Sequence, residues 1–410
     1  MEHASIGSAA SVRSGFAFKS KDWTDTGIPV VKIANVKDGF ISLEGCSFVS
    51  ESVAQTASEF ELKPGDILIS MTGYIGEVAR VRSEGRMLLN QRVGKFRIND
   101  PESLDANFLF YCLRHPELKA QFAAHAYGAA QPNISPSLIE QQEIPLPPLP
   151  IQRRIAGILS AYDDLIENSQ RRIKILEEMA RRLYREWFVH FRFPGYEGCR
   201  FVESPLGEIP EGWEVKELGQ FAQEVRRNVP KGETSEPKLY VGLEHIPRRS
   251  LALDAWETTM ELGSNKLSFN KGEVLFGKIR PYFHKVSVAP FDGICSADTI
   301  VIRALQKHVY AFAVGCVSSD EFVAEASASA NGAKMPRASW EVLKMFRVAL
   351  PPHGDLAVKF SEFFMDTLSQ QQALVFQIQN LRRTRDLLLP RLLSGQIDVE
   401  TLPELVPSEV

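Results

Sequence analysis

Residues 144–193 read IPLPPLPIQRRIAGILSAYDDLIENSQRRIKILEEMARRLYREWFVHFRF, and this stretch decides the fold. Its prolines fix an extended lead-in, because proline has a restricted φ and cannot continue a preceding helix. Apolar residues then recur at steps of four and three, which predicts the seam of a coiled coil. A helix of about 36 residues would be roughly 54 Å long. The predicted seam consists of Ile151, Ile155, Ile158, Tyr162, Leu165, Ile173, Leu176, Ala180, Leu183 and Trp187.

A second long helix is predicted near the end of the chain, where residues 348–394 read VALPPHGDLAVKFSEFFMDTLSQQQALVFQIQNLRRTRDLLLPRLLS. This stretch also begins with an apolar-Pro-Pro lead-in. A helix with one apolar stripe needs a partner stripe, so we expect the two helices to pair. The second predicted seam consists of Leu356, Phe360, Phe363, Thr367, Leu374, Ile378, Leu381 and Leu388.

The two halves of the chain repeat each other. Leu146-Pro147-Pro148 and Leu350-Pro351-Pro352 are 204 positions apart, and the same offset relates Pro132 to Pro336. Residues 64–68 (PGDIL) and 271–275 (KGEVL) are related by 207 positions. The sequence therefore predicts an internal duplication of a globular unit followed by a long helix. Two recognition units on a helical spacer explain this better than two fused copies with a linker, because a linker needs no apolar stripe on both copies.

Strand, turn and helix signals follow the same order in each half, which predicts a mixed α+β fold for each globular unit. Strands are predicted through 62–81 and 87–98, with a helix at 105–125 that is interrupted at Pro116. The predicted boundaries are 1–149 and 194–353 for the two globular domains, 150–193 and 354–397 for the helices, and 398–410 for a tail.

Composition restricts the class of protein. An apolar content of 44% is ordinary for a globular protein. The net charge of −4 argues against a protein that simply coats DNA, although the first long helix is net positive. The 5 cysteines are scattered without a C-x-x-C motif, which favours reduced thiols in a cytoplasm over disulfides or a zinc site.

Motifs for catalysis are missing from the sequence. Residues 272–278 spell G-x-x-x-x-G-K, but Ile279 follows where a magnesium-binding hydroxyl is needed. No dinucleotide, zinc-protease or nucleophile-elbow motif occurs. The carboxylate pairs Asp163-Asp164 and Glu177-Glu178 are predicted to lie on solvated helix faces.

Polar and basic residues gather at predicted loops in both globular units. Arg and Lys suit guanine edges, and Asn and Gln suit adenine, because each can make paired hydrogen bonds in the major groove. Ordinary surface positions remain the alternative for any one of them, and some would contact phosphate. The candidates for DNA contact are Thr72, Tyr74, Arg80, Gln91, Arg92, Gln131 and Asn133 in the first half, and His245, Lys278, Arg280, Tyr282, Lys334 and Arg337 in the second.

These features resemble the specificity subunit of a type I restriction–modification system. The resemblance covers nearly the whole chain, and it is most specific in residues 144–155, where Ile144-Pro145-Leu146-Pro147-Pro148-Leu149 precedes Gln152-Arg153-Arg154-Ile155. Residues 15–20 (GFAFKS), 62–68 (LKPGDIL) and 391–395 (RLLSG) also match. The second half departs from the pattern, because Leu356 stands where the first half has Gln152.

The resemblance implies a non-catalytic DNA-binding subunit that reads a bipartite, asymmetric target, with one target recognition domain for each half and antiparallel helices as the spacer. It also implies two modification subunits that bind S-adenosylmethionine and methylate adenine, and restriction subunits that use ATP and Mg²⁺. Arg171, Arg172, Arg181 and Arg182 on the first helix are candidates for docking these partners. A stand-alone DNA-modifying enzyme and a protein-only helical scaffold are the alternatives.

Overall fold

The computed structural model describes residues 2–82, 84–126, 132–332, 334–352 and 354–402. The chain folds as two compact units. The first unit comprises Met1–Asp164 together with Arg382–Val410, and the second comprises Leu165–Leu381. Each long helix therefore contributes one segment to each unit.

The globular part of the first unit is mixed α+β. Pro116 begins a new helix, as the sequence predicts, because proline is tolerated in the first turn but not in a helix interior. The elements are β1 (His3–Ser5), β2 (Ala10–Ser14), β3 (Trp23–Thr24), β4 (Ile28–Val31), β5 (Ser47–Val49), α1 (Glu51–Thr56), β6 (Ile67–Ser70), β7 (Val78–Arg80), β8 (Leu88–Leu89), β9 (Val93–Ile98), α2 (Ala106–Leu113), α3 (Pro116–Ala124), α4 (Pro136–Glu140) and β10 (Glu143–Pro145).

Two four-stranded sheets form this unit, with strand orders β2-β9-β6-β7 and β3-β5-β4-β8. Neighbouring strands are antiparallel except β4 and β8, which are parallel. β1 and β10 form a further antiparallel pair. Phe108, Phe110 and Phe122 of α2 and α3 are almost completely buried in the core beside the first sheet.

α5 (Leu149–Tyr184) leads from the first unit into the second and continues as a π-helical segment, Arg185–Val189. The second unit then repeats the mixed α+β order. Its elements are β11 (Phe201–Ser204), β12 (Gly207–Pro210), β13 (Glu214–Glu217), β14 (Ala222–Glu224), β15 (Arg227–Val229), β16 (Gly232–Val241), β17 (Glu257–Leu262), β18 (Lys266–Phe269), β19 (Val274–Gly277), β20 (Val286–Val288), β21 (Gly293–Ser296), β22 (Thr299–Ala304), α6 (Tyr310–Val317), α7 (Asp320–Ala328), α8 (Trp340–Leu343), β23 (Arg347–Leu350) and α9 (Asp355–Leu393).

The sheets of the second unit match those of the first. The order β14-β22-β19-β20 corresponds to β2-β9-β6-β7, and β13-β23 corresponds to β1-β10. The other sheet, β15-β18-β21-β16-β17, again contains one parallel pair, β16 and β21. The duplicated α+β fold that the sequence predicts is confirmed.

The duplication extends to single hydrogen bonds. Asp66 and Glu273 occupy equivalent turns, in which Gly65 and Gly272 have φ values of 92° and 84°. Asp66 accepts a hydrogen bond from the backbone N–H of Lys63 (2.9 Å), and Glu273 accepts one from Asn270 (2.7 Å). Glycine is needed in both turns because other residues disfavour positive φ.

The two long helices pack antiparallel. In the first unit the early part of α5 contacts the last turns of α9, and in the second unit the later part of α5 contacts the middle of α9. The shared clusters contain Ile155, Leu159, Leu389 and Leu392 in the first unit, and Ile166, Ile173, Leu374, Val375 and Ile378 in the second. The predicted pairing is therefore confirmed.

The seam itself differs by one residue from the sequence prediction at several positions. Leu165 is 51% exposed, whereas the next residue, Ile166, is 7% exposed. The same shift exchanges Phe363 for Phe364. Apart from Thr367, the prediction followed apolar residues and missed polar members of the buried face.

Two of these polar members are carboxylates. Asp163 and Glu177 are 9% and 6% exposed, so the prediction that they lie on solvated faces is wrong. Their neighbours Asp164 and Glu178 do reach solvent, with side chains 69% and 42% exposed. Burial of a carboxylate is tolerated because each has several hydrogen-bond donors around it.

The position of the seam can be tested with a pair of adjacent substitutions. Ile166→Asp would bury a charge and remove apolar packing, so we expect it to destabilise the second unit by at least about 3 kcal/mol. Leu165→Asp should change stability by no more than about 0.5 kcal/mol, because that side chain is exposed. Chemical denaturation of both variants measures the difference. Similar losses in the two would contradict the observed seam.

Candidate nucleic-acid interface

In the first unit, polar loops meet at one edge of the sheet that contains β6 and β9. The two strands are antiparallel with Ser70 opposite Val93, so the residues after β6 lie beside those before β9. The Met71 N–H donates to the Arg92 carbonyl at 3.1 Å. Thr72 and Arg92 therefore lie on adjacent segments at this edge.

Asn133 joins the same edge through Thr72. The Thr72 hydroxyl donates to Asn133 Oδ1 at 2.7 Å, and the Gly73 N–H donates to the Pro132 carbonyl at 3.0 Å. Thr72 is only 8% exposed, so it holds the two loops together, whereas Tyr74 is 69% exposed and available for contact.

Gln91 and Arg92 are exposed on the short segment between β8 and β9. Asn90 shapes this segment, because its Oδ1 accepts the Arg92 N–H at 3.2 Å while its own N–H donates to Val31. Sequence reasoning did not predict that the Asn90 side chain would shape this segment. The signal was the polar sequence Asn90-Gln91-Arg92 within an apolar run.

Arg80 lies elsewhere. It is paired with Ile67 at the beginning of β6, whereas Thr72 follows the end of that strand. Its guanidinium lies 4.2 Å from the centroid of the Phe110 ring, and burial lowers its pKa. Arg80 Nη2 is buried without a hydrogen-bond partner in the described parts of the chain. Gln131, another candidate, lies outside the described residues.

The second unit has an equivalent edge after β19. Lys278 donates through Nζ to the Ala297 carbonyl at 2.6 Å, and its N–H donates to the Asp298 carbonyl at 3.0 Å. Asp298 Oδ1 lies 3.7 Å from Lys278 Nζ and 3.6 Å from Arg337 Nε. Asp298 thus brings two candidates together, although sequence reasoning did not single it out.

The segment Arg280–His284, here called the reading turn, projects from this edge. Its middle is the 3-10 turn Pro281–Phe283, with Tyr282 56% exposed. The Arg280 N–H donates to the Pro336 carbonyl at 2.8 Å, which attaches the turn to the loop that carries Lys334 and Arg337. Both of those basic side chains are exposed.

His245 lies in the loop after β16, at the same edge as the end of the parallel strand β21. Its Nδ1 accepts the Gly242 N–H at 3.0 Å, which requires the proton of a neutral ring to be on Nε2. That nitrogen lies 3.4 Å from Glu257 Oε1. His245 therefore organises its loop and is only partly accessible.

The two edges are built alike. In each unit, the loop after the third strand of the first sheet pairs with a loop that precedes a short helix. The pairing residues are Thr72 and Asn133 in one unit, and Ile279 and Arg337 in the other. Guanidinium, ammonium and amide groups on a rigid sheet edge can make paired hydrogen bonds to base edges or bind phosphate.

The four arginines proposed for partner docking are not equivalent. The Arg171 and Arg182 side chains are 73% and 69% exposed, and Arg172 is also exposed. Arg181 is only 30% exposed, contacts Glu178, and donates through Nη2 to the Arg249 carbonyl at 2.9 Å. Arg181 therefore serves the second unit itself.

Among the described residues, no group of three or more His, Cys, Asp or Glu side chains could hold a metal ion. In the same ranges, no helix is long and apolar enough to cross a membrane.

The described residues thus form two duplicated sheet modules with matching polar edges. Residues 1–178 match the family model described as the type I restriction modification DNA specificity domain. The chain is 26% identical over 403 residues to the type I restriction enzyme MjaIX specificity subunit of Methanocaldococcus jannaschii, covering 94% of this chain and 90% of that one.

Two further comparisons agree. A putative MjaX specificity subunit of the same organism is 32% identical across 51% of this chain and 49% of its own length. The crystal structure of a type I restriction–modification S subunit from M. genitalium has the same fold, with a TM-score of 0.56, 15% identity, and coverage of 99% of this chain and 96% of that chain. Over nearly its whole length the chain is thus similar to specificity subunits of type I restriction–modification systems.

Proposed function

We propose that this chain reads DNA through its two polar edges and thereby directs a modification and restriction complex to its target. The chain is a specificity subunit and not itself the enzyme. The observation that carries the proposal is the repetition of the edge, with its loop pairing, in both units. A duplicated reader suits a bipartite target, because each copy can bind a different half-site.

The target recognition domains are proposed to be 1–149 and 194–353, with 150–193 and 354–397 as the spacer. Thr72, Tyr74, Gln91, Arg92 and Asn133 form the reading edge of the first unit, with Arg80 and Gln131 retained as candidates. His245, Lys278, Arg280, Tyr282, Lys334 and Arg337 form the second. Thr72 and His245 shape their loops, whereas the exposed basic and aromatic side chains contact DNA.

The proposed partners and location rest on the similarity to specificity subunits. We propose that two methyltransferase subunits and the restriction subunits assemble on this chain in the cytoplasm. They would supply S-adenosylmethionine, ATP and Mg²⁺. Arg171, Arg172 and Arg182 are the remaining docking candidates.

Arg92→Ala and Arg280→Ala test the reading edges. In each variant complex, discrimination between the correct and the wrong base should fall about tenfold, and in one half-site only. The reason is that a paired hydrogen bond to a base contributes roughly 1–3 kcal/mol to this discrimination. Mapping methylated adenines across the genome of a host that carries each variant measures the target directly.

Arg97→Ala is the matched control, since Arg97 is exposed on β9 away from the reading edge and should leave the target unchanged. A uniform loss at all sequences would make Arg92 or Arg280 a phosphate contact. An unchanged target in both test variants would contradict the proposal and favour a protein-only scaffold.

A further inference from the structure

The reading turn of the second unit has an unusual backbone. Arg280 and His284, at its two ends, have φ values of 49° and 52°, and the adjacent Arg249 has a φ of 54°. Such left-handed conformations are unfavourable for side chains of this kind and persist only where the surroundings hold them. Three sets of contacts hold Arg249, Arg280 and His284 in this conformation.

The first contact comes from α5. Arg181 donates to the Arg249 carbonyl, and four residues earlier Glu177 Oε1 accepts three hydrogen bonds. The donors are Ser250 Oγ (2.6 Å), Leu251 N (2.7 Å) and Ala252 N (3.0 Å). One face of the helix therefore fixes the whole segment 249–252.

The second contact joins that segment to the end of the reading turn. The Arg249 N–H donates to the His284 carbonyl at 2.8 Å, and its guanidinium donates to Asp320 at 2.8 Å. Ser287 donates through Oγ to the Ser250 carbonyl at 2.9 Å, so the two segments are held together beyond the turn as well.

The His284 side chain supplies the third contact. It is 4% exposed, and Nε2 lies 2.9 Å from the Ser318 carbonyl, which can only accept, so Nε2 carries a proton. Nδ1 lies 3.5 Å from Asp320 Oδ1. The charged groups that face the ring are Asp320, Arg249 and Arg181.

His284 in turn closes the reading turn. Its N–H donates to the Pro281 carbonyl at 2.8 Å, and the Phe283 N–H donates to the Arg280 carbonyl at 2.9 Å. Tyr282 projects from between these bonds. The connection from α5 to the exposed side chains is thus continuous and short.

We propose that Arg181, Arg249 and His284 are positioning residues for DNA reading, through which α5 sets the geometry of Arg280 and Tyr282. Recognition by the second unit then depends on a helix side chain that does not itself contact DNA. This inference rests on the proposed function, because it assumes that the reading turn contacts the target. It also gives Arg181 a role different from the docking expected from sequence.

Arg181→Gln and Arg182→Gln form a matched pair for the test. Both arginines contact Glu178, but in the described structure only Arg181 reaches the Arg249 carbonyl. In the assembled complex, Arg181→Gln should reduce discrimination about tenfold in the half-site read by the second unit, with the other half-site and assembly unchanged. Arg182→Gln should leave the methylated target as it is.

Several outcomes overturn the proposal. An unchanged target with Arg181→Gln, equal relaxation with Arg182→Gln, or loss of partner subunits with Arg181→Gln would each do so. Arg280→Ala serves as the reference: if it also leaves the target unchanged, the proposed function of the turn fails. If it relaxes the target while Arg181→Gln does not, only the positioning role fails.

His284→Asn and His284→Ala add an independent measurement. Asparagine tolerates positive φ, and its amide corresponds in position to His284 Nδ1, so it offers a donor on the Asp320 side, whereas alanine provides neither. His284→Asn should keep discrimination within about threefold of the parent, and His284→Ala should lose about tenfold in the same half-site. Identical behaviour of the two variants would contradict the role of His284.

Discussion

Replacing Asp163 with alanine is expected to destabilise the first unit by about 3–5 kcal/mol, the cost of removing one partner from a buried charge cluster. Asp163 accepts hydrogen bonds from Tyr111 (2.8 Å), Arg114 (3.2 Å) and Arg385 (2.5 Å). The two guanidinium side chains are only 6% and 10% exposed. Without the carboxylate, the two buried cations would keep only Asp38 and Asp386, which are largely exposed, as partners.

The cluster matters because it connects three parts of the unit. Tyr111 and Arg114 belong to α2 and its end, Asp163 to α5, and Arg385 to α9. Burial, together with the Asp163 carboxylate, also raises the pKa of Tyr111, so its hydroxyl stays a donor at neutral pH. Loss of Asp163 should therefore loosen the helix pair and the globular domain of this unit together.

Hydrogen exchange measured by mass spectrometry tests this expectation. Peptides from 106–124 and 382–393 should exchange faster in Asp163→Ala, while peptides from 266–304 should not. Asp164→Ala is the control, since that residue makes a surface ion pair with Arg82 at 3.3 Å and should cost no more than about 1 kcal/mol. Protection that is unchanged in Asp163→Ala would show that the cluster does not hold the unit together.

Asp163 also illustrates why the sequence predicted the helices but not their buried face. The proline lead-ins and the offset between the halves are local or repetitive signals, and both can be read without a structure. The partners of Asp163 are distant in sequence, at Tyr111 and Arg385, so nothing local marks it as buried. Seam positions chosen by apolar character therefore included Tyr162 and Leu165 instead of Asp163.

At the candidate interface, too, local features could be predicted from the sequence and the spatial arrangement could not. Thr72, Arg92 and Asn133, which the sequence placed on loops, lie close together in the structure. Arg80 was also at a strand end, but a sequence does not reveal which edge of the sheet that end occupies. The role of Gln152, in the motif at residues 144–155, was also not apparent from the sequence. Its buried side chain accepts a hydrogen bond from the Asp105 N–H and donates one to the Ser103 carbonyl.

Glu177 provides the second large effect, within the second unit. Glu177→Ala would leave the Leu251 N–H and the Ser250 hydroxyl without their acceptor, and the Ala252 N–H with only Ser250 Oγ at 3.2 Å. Each buried unsatisfied group costs roughly 1–3 kcal/mol, so we expect a loss on the order of 3 kcal/mol. Glu178→Ala is the control, because that half-exposed side chain pairs only with arginines on its own helix.

Glu177→Gln separates the acceptor from the charge. All three hydrogen bonds go to one oxygen, which glutamine retains, so this variant should be at least as stable as the parent at neutral pH. Burial raises the pKa of Glu177, so the native state holds its proton at a pH where the unfolded chain has released it. The parent therefore loses stability as pH rises through that raised pKa, and the glutamine variant does not.

The stability difference between Glu177→Gln and the parent should consequently grow in favour of glutamine as pH rises above the ordinary pKa of a glutamate side chain. Urea denaturation at several pH values, followed by hydrogen exchange of 249–252, measures it. A difference that shrinks as pH rises would mean that the charged form is the one stabilised by Ser250 and the two N–H groups. In that case Glu177 would hold the segment beside the reading turn as an anion, and substitution by glutamine should weaken that attachment.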